Sequence, residues 1–185
     1  GYLRSTSGLV LLGWPAQPDG SIPSFPRDTA GGLEPVQINV NQFSGEPTTS
    51  MTLGVNLPAT ETDAGASGDV QNLSVEYFGN LGTSENINIT FSPTVPATGA
   101  SNEWTLTMTD SATEPEGTVI GEYILTFADD RTSGGTLASV TTVSGGAYDA
   151  GSGQLIVDVA GGPIEIDIGK IGESNGITQL SDAFA

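Results

Sequence analysis

Apolar residues in this chain recur at every second position, in short rows interrupted by glycine and proline, and nowhere do they sustain a 3.6-residue period. Trp104, Leu106 and Met108 alternate with Thr105, Thr107 and Thr109. Leu155, Val157 and Val159 are answered across Ala160-Gly161-Gly162-Pro163 by Ile164, Ile166 and Ile168. Residues two apart share one face of a strand, so such rows bury one face and wet the other. The chain is therefore expected to be all-β, short strands joined by turns. With 36% hydrophobic residues among 185, it can build a core in one or two domains.

Residues 1–16 read as a hairpin: Tyr2-Leu3 and the run 9–12 flank Ser5-Thr6-Ser7-Gly8, with Gly8 at the positive φ that a short connection needs and Trp14-Pro15 as the stop. Two strands alone are marginal in water, so this pair needs cover. The best candidates are the rows of 155–168, which predicts two β domains. An inner one is built from 1–43 with 144–185, and an outer antiparallel sandwich or partly closed barrel, 44–143, is inserted into it. Residues 17–35, with Pro18, Pro23, Pro26 and Pro35, read as a long surface connection. Val36, Ile38 and Val40 then form a half-buried strand, and 42–49 is the first crossing between domains.

Within the insert, Met51, Leu53, Val55 and Leu57 share a face. The acidic, small-residue segment 59–69 offers little to bury and is expected to be mobile. Leu73, Val75 and Tyr77 make a hairpin with Ile87, Ile89 and Phe91 across Gly79-Asn80-Leu81-Gly82. After the Trp104 row and a return loop at 110–117, the strand 119–127 has two possible inward faces. Val119, Tyr123, Leu125 and Phe127 are favoured over Ile120 and Ile124, because Glu122 shares the second face. A turn at Asp129-Asp130 and Gly134-Gly135 leads to a shorter strand at 137–143. The second crossing surrounds Tyr148, and the polar tail 173–185 reads as extended chain leading to an element beyond it. Because the sequence starts inside a strand, it is expected to be a fragment of a longer protein.

Four cations against 22 acidic residues give a net charge of -18, which argues against nucleic-acid or anionic-membrane partners. No apolar run approaches membrane-spanning length, and no basic start with an apolar middle marks a signal peptide. Cysteine and histidine are absent, so a catalytic reading has only carboxylates to work with. The visible pairs are Asp129-Asp130, Glu114 with Glu116, and Glu165 with Asp167. All fall in turns or on the outward side of a strand, where a solvated role is expected, and no catalytic residue is assigned. Asp129-Asp130 and the segment 149–153 lack the ligand spacing of a calcium loop, so no metal is expected. The glycine pairs bring no phosphate-loop lysine and no dinucleotide fingerprint, so no cofactor is expected either. Two tryptophans, Trp14 and Trp104, are the side chains a sugar platform would use, but Trp104 lies on an inward row and reads as core.

With these residues in view, the chain resembles the central part of bacterial flagellar hook proteins. Gly1-Tyr2-Leu3 and Leu11-Leu12-Gly13-Trp14-Pro15-Ala16 match the family's opening segments, and Pro35-Val36-Gln37-Ile38 matches its proline-preceded strand. Met51-Thr52-Leu53-Gly54-Val55-Asn56-Leu57, Tyr77-Phe78-Gly79-Asn80-Leu81-Gly82, Asn102-Glu103-Trp104, Leu125-Thr126-Phe127 and Gly176-Ile177-Thr178-Gln179 follow in the family's order. The resemblance implies a non-enzymatic structural subunit with an outer β domain inserted into an inner one. Such subunits are exported unfolded and polymerise outside the cell into a flexible tube between the rod and the hook-filament junction proteins. The family's terminal helices are absent, so this fragment alone is expected to be monomeric. Related rod and junction proteins share the architecture, and the length and acidity of the insert favour the hook over them. Two other readings carry their own tests. An acidic secreted adhesin or surface-layer domain would be told apart by flanking sequence. A carbohydrate-active enzyme would need a carboxylate pair in a cleft.

Overall fold

A computed structural model of the chain describes residues 1–17, 21, 24, 29–38 and 45–185. Strands dominate, and the one helical element among the described residues is a single 3-10 turn, Ala59–Thr62. The chain divides into two compact units, Gly1–Ser44 and Gly45–Ala185.

In the first unit the expected hairpin is present: Arg4 bridges Val10, the Leu9 carbonyl accepts the Ser5 N–H, and Gly8 has φ of 86°. Strand β1 (Leu12–Gly13) pairs antiparallel with β2 (Glu34–Pro35), and Tyr2 bridges Gln37. Within this unit the hairpin is joined by the nearby 34–37 stretch. Gly1 and Gly13 carry no side chain where backbone or side-chain atoms of Ile38 and Val36 close in. Val40, residues 42–44 of the crossing expected at 42–49 and much of the proline-rich connection lie outside the described residues.

The second unit is organised around a five-stranded antiparallel sheet in sequential order: β5 (Gln71–Phe78), β6 (Ser84–Pro93), β7 (Glu103–Asp110), β8 (Val119–Phe127) and β9 (Leu137–Ser144). Its inward rows are those the alternation predicts, with Tyr77, Ile87, Ile89, Phe91, Trp104, Leu106, Met108, Tyr123, Leu125 and Phe127 all buried. Val119 departs from the favoured face. It is 45% exposed, whereas Ile120 is 8% exposed. The β7–β8 register shifts between Met108 and Thr109, so Met108 faces Gly121 while Thr109 faces Val119, and Ile120 is the extra residue. A bulge of this kind resets the parity of everything before it.

Facing that sheet is a smaller one, β10 (Gln154–Val159), β11 (Gly162–Asp167) and β3 (Ser50–Thr52), in which β10–β11 is the predicted hairpin and β3 joins β11 in parallel. A second parallel pair joins β4 (Asn56–Pro58) to β12 (Thr178–Leu180). Leu53, Val55, Leu57, the apolar rows of β10 and β11, Ile168 and Ile177 complete one core with the five-stranded sheet. Gly121 makes this approach possible, since a Cβ there would lie 3.1 Å from Val157 and 2.9 Å from the Tyr123 ring.

Within the compact unit Gly45–Ala185, β11 and β12 pair in parallel with β3 and β4. Two expectations change at this point. The segment 59–69 is a closed loop: Thr62 is buried, and the Glu61 carboxylate accepts hydrogen bonds from Ser67 Oγ (2.9 Å) and the Asp69 N–H (3.1 Å). The tail folds back as β12, and Phe184 lies against Phe91 with ring centroids 6.1 Å apart.

Candidate functional site

The carboxylate pairs lie where the sequence places them. Asp129, Asp130, Glu114, Glu116 and Glu165 are exposed, and Asp167 is half-buried. Asp130 serves its own turn, accepting hydrogen bonds from the Thr132 and Ser133 N–H groups (2.7 and 2.9 Å) and from Ser133 Oγ (2.6 Å), contacts that hold its carboxyl below the usual carboxylate range. Asp149 does the same with the Gly151 N–H and Ser152 Oγ, and its carboxyl is likewise lowered. Asp167 accepts the Gly169 N–H at 2.9 Å. Glu165 borders a shallow open groove with Thr49, Ser50, Ile156 and Pro163. Among the described residues no three carboxylates gather as a metal site would require.

The structure instead brings together two buried polar nodes. In the first, Trp104 Nε1 donates to Gln179 Oε1 (3.2 Å), while Gln179 Nε2 donates to Asn102 Oδ1 (2.9 Å) and approaches Thr62 Oγ1 (3.4 Å). Trp104 is thereby a core residue and not a sugar platform. Asn102 adopts a positive φ of 51°, a conformation asparagine tolerates better than most residues. The strings Asn102-Glu103-Trp104 and Gly176-Ile177-Thr178-Gln179, far apart in sequence, thus meet as one hydrogen-bonded unit. Buried amides need such partners, since an unpaired one is costly.

In the second node Asp110, at the inward end of β7 and 1% exposed, accepts four hydrogen bonds. The donors are Tyr77 Oη (2.7 Å) and the Ala112 N–H (3.2 Å) at Oδ1, with Thr113 Oγ1 (2.6 Å) and the Ala160 N–H (3.0 Å) at Oδ2. Burial by itself pushes this carboxyl up, but the bonds from Thr113, Ala160, Tyr77 and Ala112 outweigh it and hold the pKa below the ordinary value. Burial, then the Asp110 contact, drives Tyr77 strongly upward. The node ties the β10–β11 turn to β5 and β7. Its signal was legible in the row 104, 106, 108, 110, whose parity puts Asp110 inside.

Two surfaces remain open. The β5–β6 turn carries Leu81, 90% exposed, and is held to the β10–β11 turn by Asn80 Nδ2 donating to the Gly161 carbonyl at 2.7 Å. In the first unit Tyr2, Leu3, Leu9, Val10, Leu11 and Leu12 are all exposed. Such a concentration of apolar side chains is the mark of an interaction surface.

No family model matches the chain. It is 28% identical over 151 residues to the flagellar hook protein FlgE of Brucella abortus and to that of Brucella suis, and the FlgE of Brucella melitensis matches to the same extent. The match covers 80% of this chain and 34% of each relative, so the chain spans about a third of the length of the curated relatives it matches.

Proposed function

We propose that the chain is part of a structural subunit of a bacterial flagellar hook, an extracellular tube in which copies of one protein pass torque from the rod to the filament. The similarity to hook proteins over 151 residues carries this reading. The meeting of Asn102-Glu103-Trp104 with Gly176-Ile177-Thr178-Gln179 supports it, because two of the resembling strings then share one structural task. A joint needs subunits that hold their own shape yet meet through small, replaceable contacts. A chain of net charge -18 repels its copies over a screening length of about 8 to 10 Å near physiological ionic strength, which keeps accidental contacts weak. Asp110, the one buried carboxylate among the described residues, is fully engaged by donors of its own fold, which suits a role of shape and not of turnover. The partners implied are other copies of the full-length protein, the rod, and the proteins joining hook to filament.

The test is genetic and visual. An in-frame deletion of the gene in its source organism is expected to leave basal bodies with rods but no hooks by electron microscopy, restored by a plasmid copy. Normal hooks in the deletion strain would refute the proposal.

A further inference from the structure

Asn175 is the only asparagine in the sequence followed by glycine, and it sits on the bend leading into β12. We propose that Asn175-Gly176 is a spontaneous deamidation site whose conversion releases the C-terminal strand from the core.

Asn175 is exposed to solvent, and among the described residues neither its side chain nor the Gly176 N–H has a hydrogen-bond partner. The Gly176 nitrogen is therefore free to lose its proton to solvent base and attack the Asn175 side-chain carbonyl carbon. A C–N bond forms, the bond to Nδ2 breaks, and the amide nitrogen leaves as ammonia after taking a proton. Solvent water then opens the five-membered imide at either carbonyl, giving aspartate or isoaspartate; no oxidant or reductant enters. Glycine at the following position favours the attack because it has no Cβ to crowd the ring.

The fold keeps the labile pair in place. A Cβ on residue 176 would lie 2.1 Å from the Ile168 carbonyl oxygen and 2.6 Å from the Gly169 Cα, so only glycine fits. The same closeness makes the product damaging. Isoaspartate adds a methylene to the backbone immediately before Gly176, where Ile168 leaves no room. Beyond it stand the bonds that hold β12: the Thr178 N–H to the Val55 carbonyl, the Gln179 N–H to the Gly135 carbonyl, and the Leu180 N–H to Asn56 Oδ1. Buried Ile177 and the Gln179–Trp104 contact follow the same segment.

The experiment incubates the purified chain at mildly alkaline pH and follows each asparagine by peptide mapping with an isoaspartate-specific methyltransferase, alongside hydrogen exchange at Thr178, Gln179 and Leu180. Isoaspartate is expected at 175 in at least about tenfold excess over every other asparagine, a class already known as thermolabile. Exchange protection at the three amides should fall in step with it. Asn175→Gln, which must close a larger and slower ring, is expected to stay intact and protected. Asn175→Asp adds the charge without the methylene and is expected to keep β12 protected. Conversion in urea-unfolded chain but not in folded chain would overturn the proposal, as would conversion without loss of protection or loss of protection in Asn175→Asp.

Discussion

Replacing Asp110 by asparagine is a sharp test of how the two sheets are joined. Asparagine keeps the shape but turns one acceptor oxygen into an NH2 donor. Whichever way the amide faces, that NH2 meets one hydroxyl and one backbone N–H: Tyr77 with Ala112, or Thr113 with Ala160. A hydroxyl can rotate to accept, but a backbone N–H cannot. One donor is thus left unsatisfied, at about 1–3 kcal/mol, and the remaining bonds lose their charge assistance. The sum is about 3–4 kcal/mol, a large share of the roughly 5–15 kcal/mol typical of a domain. Urea unfolding at neutral pH, followed by the fluorescence of buried Trp104, measures it as a lower midpoint at unchanged slope. The pH dependence checks the cause. Asp110's carboxyl is lowered in the folded state, so its contribution is complete above the unfolded value of about 3.9 and is lost as pH falls through the folded value. The difference between wild type and Asp110→Asn should therefore shrink in acid. A loss below about 0.5 kcal/mol, within the ordinary range for surface substitutions, or one that is the same in acid as at neutral pH, refutes the reasoning.

Gln179→Leu removes the acceptor of Trp104 Nε1 and the donor to Asn102, and is expected to destabilise by about 2–3 kcal/mol and to red-shift Trp104 emission as water reaches the indole. Tyr77, Tyr123 and Tyr148 are all raised above the ordinary tyrosine value, chiefly by burial. Their neutral forms are favoured in the folded state, so thermal melts should show stability falling once pH passes about 10, the unfolded value. At neutral pH and low salt, sedimentation is expected to show a monomer, with added salt raising the melting temperature and promoting association by screening the net charge of -18; a stable oligomer at low salt would contradict this.

The strand rows of the large sheet were legible because burial on one face imposes a period of two, and nothing in Ile87 to Phe91 or Trp104 to Met108 competes with it. Val119 was misread because a bulge is a property of the pair β7–β8 and not of either strand's own sequence. The tail was misread for a related reason: β12 is three residues long and its partner β4 is non-local, so neither contributes a visible row. Asp110 and Gln179 share the parity of buried apolar neighbours, Met108 and Ile177, yet a polar residue on an inward row reads as an end until its donors are seen.

The two parallel pairs also set the order in which the chain can fold. Hairpins of the large sheet close over short loops and can form early, but the bond from the Leu180 N–H to Asn56 Oδ1 spans 124 residues. Loop-closure entropy must be met before such a contact returns anything, so topologies of this kind fold slowly. Until residues 162–180 arrive, Leu53, Val55 and Leu57 lack their covering strands, and this core cannot be finished. Completion of this core therefore waits on residues 162–180, which makes the arrival of β12 the committing step in the folding of the unit Gly45–Ala185.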